Sequence, residues 1–137
     1  VFMKDGSTKE EWKMENETKK ILDKNIKLTA TCVRVPVLVS HSETVNVELK
    51  KKFDIKQIRS TLMKAPSCKV IDQKKNGGYA TPVESAGSFL TYISRIRRDP
   101  TKNAVNMWIV SDNLLKGAAF NAVQIAEVLV KKHIRNN

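Results

Sequence analysis

Histidine and cysteine are scarce in this 137-residue sequence, with two of each and no clustering. His41 and His133 stand far apart, and neither Cys32 nor Cys68 has metal-ligand spacing around it, so no metal site is expected. Two isolated cysteines give no disulfide framework, which points to a reduced, cytoplasmic setting. No apolar run approaches the roughly 18–20 residues that a spanning helix needs, so no membrane partner is expected. A Gly-x-Gly-x-x-Gly motif is absent, and Gly77-Gly78 marks a turn without a phosphate loop around it. The first residues, Val1-Phe2-Met3-Lys4-Asp5, have no signal-peptide layout and no initiator methionine. They read as the start of a truncated, excised or processed product.

Against these absences stand a 41% hydrophobic content and enough length for one compact domain with a real core. The formal charge is +11. Such a balance can serve phosphate contacts in a nucleic-acid binder. Here the lysines are spread along the chain among glutamates, in short clusters at Lys50-Lys51-Lys52, Lys74-Lys75, Arg95 to Arg98 and Lys131-Lys132. No aromatic residues alternate with them. The expectation is a solvated basic surface and no nucleic-acid partner.

Ser7/Glu10 and Thr8/Glu11 both have capping-box spacing and open a helix that should run to about Lys24. Its apolar stripe is Trp12, Met14, Ile21 and Leu22. Lys27 to Val35 reads as a strand with Leu28, Ala30, Cys32 and Arg34 on one face, ending near Pro36. Thr44 to Phe53 alternates as a half-buried strand. Asp54 caps a short helix with Ile55, Ile58, Leu62 and Met63 on one face. Lys69 to Ile71 is a brief strand, and 74–78 a turn. Phe89 to Arg97 and Ala104 to Val110 read as two further strands. Leu114 to about Ile134 is a long helix whose apolar face is wide enough to be buried on more than one side or to await a partner. These elements predict an α+β fold: a mainly antiparallel or mixed sheet with helices packed on one face, plus a long C-terminal helix.

The chemistry-bearing residues centre on Cys32-Val-Arg34-Val-Pro36-Val-Leu-Val-Ser40-His41-Ser42-Glu43. The Arg34 guanidinium can grip a carboxylate with two parallel hydrogen bonds. From spacing alone, an internal salt bridge serves equally well. His41 is suited to acid–base work near neutral pH, or is a loop histidine without a role. Glu10 and Lys13, one helical turn apart, can pair with each other or serve a ligand. If Thr8 is the cap, Glu11 closes the capping box and Glu10 is released from that job. Asp112 is a good N-cap before the small residues Gly117, Ala118 and Ala119, where a helix N-terminus favours an anion. The Cys32 thiolate can be stabilised by Arg34, although a mid-strand cysteine is ordinarily just buried.

Taken together, several segments resemble the aspartate-β-semialdehyde dehydrogenases. They are Glu10-Glu11-Trp12-Lys13 with Glu17 to Ile21, Thr31 to Pro36 with His41-Ser42-Glu43, Arg95-Ile96-Arg97-Arg98-Asp99, and Val110 to Ala119 with Asn121 to Glu127. The resemblance implies that 1–137 is the C-terminal catalytic and dimerisation domain of an NADP-dependent enzyme. That enzyme converts L-aspartyl-4-phosphate to L-aspartate 4-semialdehyde and phosphate, through a cysteine thioacyl intermediate, on the route to lysine, threonine and methionine. It further implies a homodimer formed through the sheet. Residue by residue, it makes Arg34 the holder of the substrate carboxylate and His41 the acid–base group. Glu10 becomes a second substrate-binding residue, Lys13 a phosphate ligand and Asn113 a contact of the nicotinamide cofactor. Neither Cys32 nor Cys68 stands in the family's Asn-Cys context, and the half that binds most of the NADP is not in this sequence. The chain alone is therefore expected to be inactive. Ser94 stands where the family usually has glycine. A related N-acetylglutamyl-phosphate reductase and a non-enzymatic basic binding module are the alternatives. Glu10 to Lys13 and Asp112 to Gly117 favour the aspartate branch over the first.

Overall fold

The computed structural model describes residues 1–134, which fall into two compact units, Val1–Pro36 and Val37 onward. The last three residues, at the end of the 1–137 domain assignment, lie outside the described residues.

The first unit is built on helix α1, Lys9–Ile21. Thr8 is its N-cap, and the Thr8/Glu11 capping box closes in both directions. Acidic Glu10 and Glu11 in the first turn and basic Lys19 and Lys20 in the last suit the helix dipole. The covered face differs from the predicted stripe. Glu11 is buried and Met14, Glu15 and Thr18, at helical spacing from it, are partly covered, as are Lys13 and Lys19, whereas Trp12, Ile21 and Leu22 are exposed. The strand expected over 27–35 is not formed: this stretch belongs to no ladder. Its alternation is nevertheless real, with Ile26, Leu28, Ala30 and Cys32 partly covered and the residues between them exposed. One-sided packing suffices to select such a pattern, and no hydrogen-bonded neighbour is required. The stretch is tied instead to α1, where Cys32 N–H donates to Glu11 Oε1 at 2.7 Å and the Cys32 and Met14 sulfurs lie 3.6 Å apart.

The second unit is a four-stranded mixed sheet in the order β1-β4-β3-β2, with β1 at His41–Glu48, β2 at Cys68–Val70, β3 at Thr91–Arg98 and β4 at Ala104–Ser111. β1–β4 and β4–β3 are antiparallel, and β2–β3 is parallel. β1 begins three residues before the predicted start, so His41 is a strand residue opposite Ser111 and not a loop residue. Helix α2, Ile55–Lys64, is capped by Asp54 as expected and packs on one face of the sheet. There Ile93, Ile96 and Val105 form the core, with Phe53, Ile55, Ile58, Leu62, Cys68, Val70 and Met107 against them.

A bulge interrupts β3 between Ser94 and Arg97. Arg95 has φ 54°, and Asp72 holds the distortion by accepting from Arg95 N–H and Ile96 N–H at 2.8 and 3.2 Å and from Arg59 at 2.5 Å. The other face of the sheet carries Ser94 and Trp108, opposite one another across β3 and β4. Both grip the fully buried Ala80: its N–H donates to Ser94 Oγ, and its carbonyl accepts from the Trp108 indole. Ser94, the departure from the family pattern, is thus satisfied. The turn leading to this segment needs glycine at 78, where a Cβ would sit 2.2 Å from the Gln73 carbonyl oxygen. A short helix unmarked in the sequence reading, α3 at Pro82–Ser85, follows.

The last helical stretch runs from Leu115 to Ile134, as predicted. Its centre, α4 at Phe120–Leu129, is flanked by wider π-type turns. Phe120 packs on Phe89, and Gln124 bonds both Ser67 and Lys116. Val123, Ile125, Val128 and Leu129 are about half exposed, so of the two readings of its wide apolar face, this chain by itself leaves it uncovered.

Candidate active site

The sequence-predicted residues divide between the two units. In the first, Glu10 and Lys13 are brought together on α1, with Lys13 Nζ at 3.2 and 3.3 Å from the two Glu10 carboxylate oxygens. Both are substantially exposed, and an exposed i,i+3 pair of this kind contributes only a few tenths of a kcal/mol. It is therefore easily opened by a ligand. The Thr8 cap releases Glu10 from capping, as the second of the two spacings required. Glu11 has the fixed role. Its carboxylate accepts from Thr8 N–H and Cys32 N–H, in that order of effect, and these hold it below the ordinary range. The sequence identified Glu11 as a cap, but gave no sign that its other oxygen would anchor Cys32.

Arg34 is exposed and makes no salt bridge among the described residues. The internal ion pair that spacing allowed is not formed, and the fork remains available to an outside anion. Cys32, two residues earlier, is only partly covered and lies outside any strand, so the reading of a buried mid-strand cysteine is not met.

In the second unit His41 opens β1, exposed, with its backbone paired to Ser111 at the end of β4. Just past that end, Asp112 is buried and holds the chain's turn into the last helix. Its carboxylate accepts from Gly87 N–H at 2.8 Å and from Leu115 and Leu114 N–H at 2.9 and 2.8 Å. These bonds, that from Gly87 foremost, lower its pKa from the ordinary carboxylate value. The N-cap position itself falls at Leu114 and not at the predicted Asp112, which instead holds the N–H groups of Leu114 and Leu115 from just before the helix; the link to Gly87 is additional. Asn113 follows, with its carboxamide oxygen accepting from Ser40 N–H at 2.8 Å. Ser40 and Ser85 are buried hydroxyls joined at 2.7 Å, and neither was singled out in the sequence. Position 40 carried only one signal, its place immediately before His41. Position 85 carried none.

Among the described residues, no group of three or more histidine, cysteine or acidic side chains could hold a metal ion. No described helix is long and apolar enough to cross a membrane.

The family model for the semialdehyde dehydrogenase dimerisation domain matches residues 1–116. The chain belongs to this family. Within it, the chain corresponds to the C-terminal dimerisation domain of the aspartate-semialdehyde dehydrogenases. It is 48% identical over 134 residues to the aspartate-semialdehyde dehydrogenase of Aquifex aeolicus, a match covering 96% of this chain and 39% of that protein. The crystal structure of aspartate semialdehyde dehydrogenase II from Vibrio cholerae complexed with ASA superimposes with a TM-score of 0.90 at 40% identity, over 97% of this chain and 40% of that one. The Candida albicans enzyme with NADP gives a TM-score of 0.75 at 26% identity, over 91% of this chain and 43% of its own. The chain thus spans about two fifths of the length of the relatives it matches.

Proposed function

We propose that this chain supplies the substrate-binding and dimer-forming part of an NADP-dependent aspartate-semialdehyde dehydrogenase. That enzyme converts L-aspartyl-4-phosphate to L-aspartate 4-semialdehyde and phosphate. What supports the reading most is the near full-length alignment of the chain with the Vibrio cholerae enzyme complexed with ASA.

On this reading the chain's own residues bind and move protons. The exposed Arg34 fork clamps the substrate's α-carboxylate, which fixes the reacting carbonyl by orientation. Glu10, opened from Lys13, meets the α-amino group. Lys13 is then free to neutralise phosphate. His41 acts as acid–base at the reacting end, taking the proton of the attacking thiol and returning one as the tetrahedral species collapses. Neither cysteine here is assigned the nucleophile's place. Cys32 N–H is bonded into the α1 clamp, and Cys68 lies on β2 against the core.

NADPH, when bound, would supply the hydride. The residues present fit only one edge of it. The Asn113 oxygen is committed to Ser40, leaving the amide NH2 to donate to a carboxamide oxygen such as the nicotinamide's. The chain alone does not turn over, and two copies associate through this domain.

The test is phosphate-dependent NADP reduction with aspartate semialdehyde. It uses the full-length enzyme carrying this segment, its Arg34→Leu and His41→Asn variants, and the chain alone. Activity in the first and its loss in the other three is the expected result. An inactive full-length protein, or variants equal to it, would overturn the assignment. Sedimentation of the full-length enzyme as a monomer would remove the dimer.

A further inference from the structure

We infer that Asn113 is a positioning residue that couples the cofactor edge of the site to His41 through the backbone of Ser40. This rests on the proposed roles of His41 and Asn113 and adds a connection between them.

Ser40 has φ 84°, in the left-handed region that side-chain-bearing residues rarely adopt. It is 3% exposed and directly precedes His41. Such a conformation persists only when its surroundings over-determine it. Here three hydrogen bonds do so: Ser40 N–H to Asn113 Oδ1 at 2.8 Å, Ser85 Oγ to Ser40 Oγ at 2.7 Å, and Ser40 Oγ to the Pro82 carbonyl at 3.4 Å. The backbone direction at residue 40 sets where the Cα–Cβ bond of His41 points as the chain enters β1.

Asn113 is itself held on both sides in sequence. Ser111 pairs with His41, and Asp112 is pinned by Gly87, Leu114 and Leu115. An N–H of Ser40 requires an acceptor, so the orientation of the Asn113 carboxamide is decided: oxygen to Ser40, NH2 outward. A ligand that accepts from that NH2 fixes the plane of the amide, hence Ser40, hence His41. One rigid side chain thus serves two sites, and its two ends are separable by mutation. Asn113→Asp keeps the acceptor for Ser40 and loses the donor. Asn113→Ala loses both.

The first test uses this chain and needs no activity. Amide exchange at Ser40 is expected to be slow in the parent and in Asn113→Asp, and fast in Asn113→Ala. The His41 ring signals should shift in Asn113→Ala and in Ser85→Ala, while those of the exposed His133, the only other histidine, stay in place. Unmoved His41 signals and a protected Ser40 amide in Asn113→Ala would overturn the inference, whatever the enzyme does.

The second test uses the full-length enzyme. Asn113→Asp should raise KM for NADP with little change in kcat. Asn113→Ala should raise KM similarly and also lower kcat by about 10- to 100-fold, the scale expected of a misplaced reacting group. Ser85→Ala should lower kcat alone. Identical parameters for the two Asn113 variants would refute the coupling. An inactive parent enzyme would instead refute the proposed function, leaving the exchange result to decide the geometry.

Discussion

Removal of the Asp72 carboxylate tests how the sheet carries its bulge. Asp72 anchors the backbone N–H groups of the distorted stretch at Arg95, and one side chain satisfies two backbone donors and a guanidinium. In Asp72→Ala the Arg95 N–H, on an exposed residue, can turn to water. The Ile96 N–H belongs to a residue only 5% exposed and loses its partner, at about 1–3 kcal/mol. Breaking a fully buried ion pair costs about 3–5 kcal/mol. The Arg59 side chain is 33% exposed, so its share is discounted to about 1 kcal/mol. The expected loss is therefore about 3 kcal/mol, or on the order of 10 °C in Tm for a chain of this size. Asp72→Asn retains an acceptor and should lose about half as much. A Trp12→Phe background leaves Trp108, on β4, as the fluorescent reporter of the sheet during urea unfolding. A double-mutant cycle with Arg59→Leu should give a coupling of about 1 kcal/mol. A loss below about 1 kcal/mol for Asp72→Ala, with no coupling to Arg59, would refute the reasoning that this carboxylate holds the bulge.

Two further outcomes follow from particular bonds. Ser94→Ala leaves the N–H of fully buried Ala80 without its acceptor and should cost about 1–3 kcal/mol, whereas Trp108→Phe removes a donor to the same residue at about 1 kcal/mol. Thermal melts of both variants and of the pair should show non-additivity, because both bonds hold one residue. Acid should destabilise the chain through carboxylates whose folded pKa lies below the unfolded one. Asp99 is lowered from 3.8 to about 2, by the Thr101 hydroxyl first, then by Thr101 N–H and Asn46. Glu11 and Asp112 are lowered by the backbone donors already described. Their stabilisation is fully present above the ordinary carboxylate range and is lost as pH falls through the depressed folded values, for Asp99 between 3.8 and about 2. Unfolding midpoints should decline over that window and decline less in Glu11→Gln; a flat profile there would contradict the assignments.

Local chemistry was legible in the residues. Asp54 before Ile55 and Thr8 with Glu11 are capping solutions complete within four residues, so no distant partner was needed to read them. The strands over 91–98 and 104–111 carry enough β-branched and aromatic residues for their existence to be plain. Family resemblance named Glu10, Lys13, Arg34, His41 and Asn113 as a set.

What only the tertiary structure decided is pairing and restraint. The alternation over 27–35 reports which side chains are covered, and coverage by a helix leaves the same period as coverage within a sheet. Strand order β1-β4-β3-β2 joins segments far apart in sequence, a choice made by the whole sheet and by no single strand. The left-handed turn at Ser40 and the bulge at Arg95 run against local preference and exist because remote groups, Asn113 and Ser85 for one and Asp72 for the other, supply the hydrogen bonds that hold them. A sequence displays its local preferences residue by residue. A conformation sustained against those preferences is visible only where the chain returns to hold it.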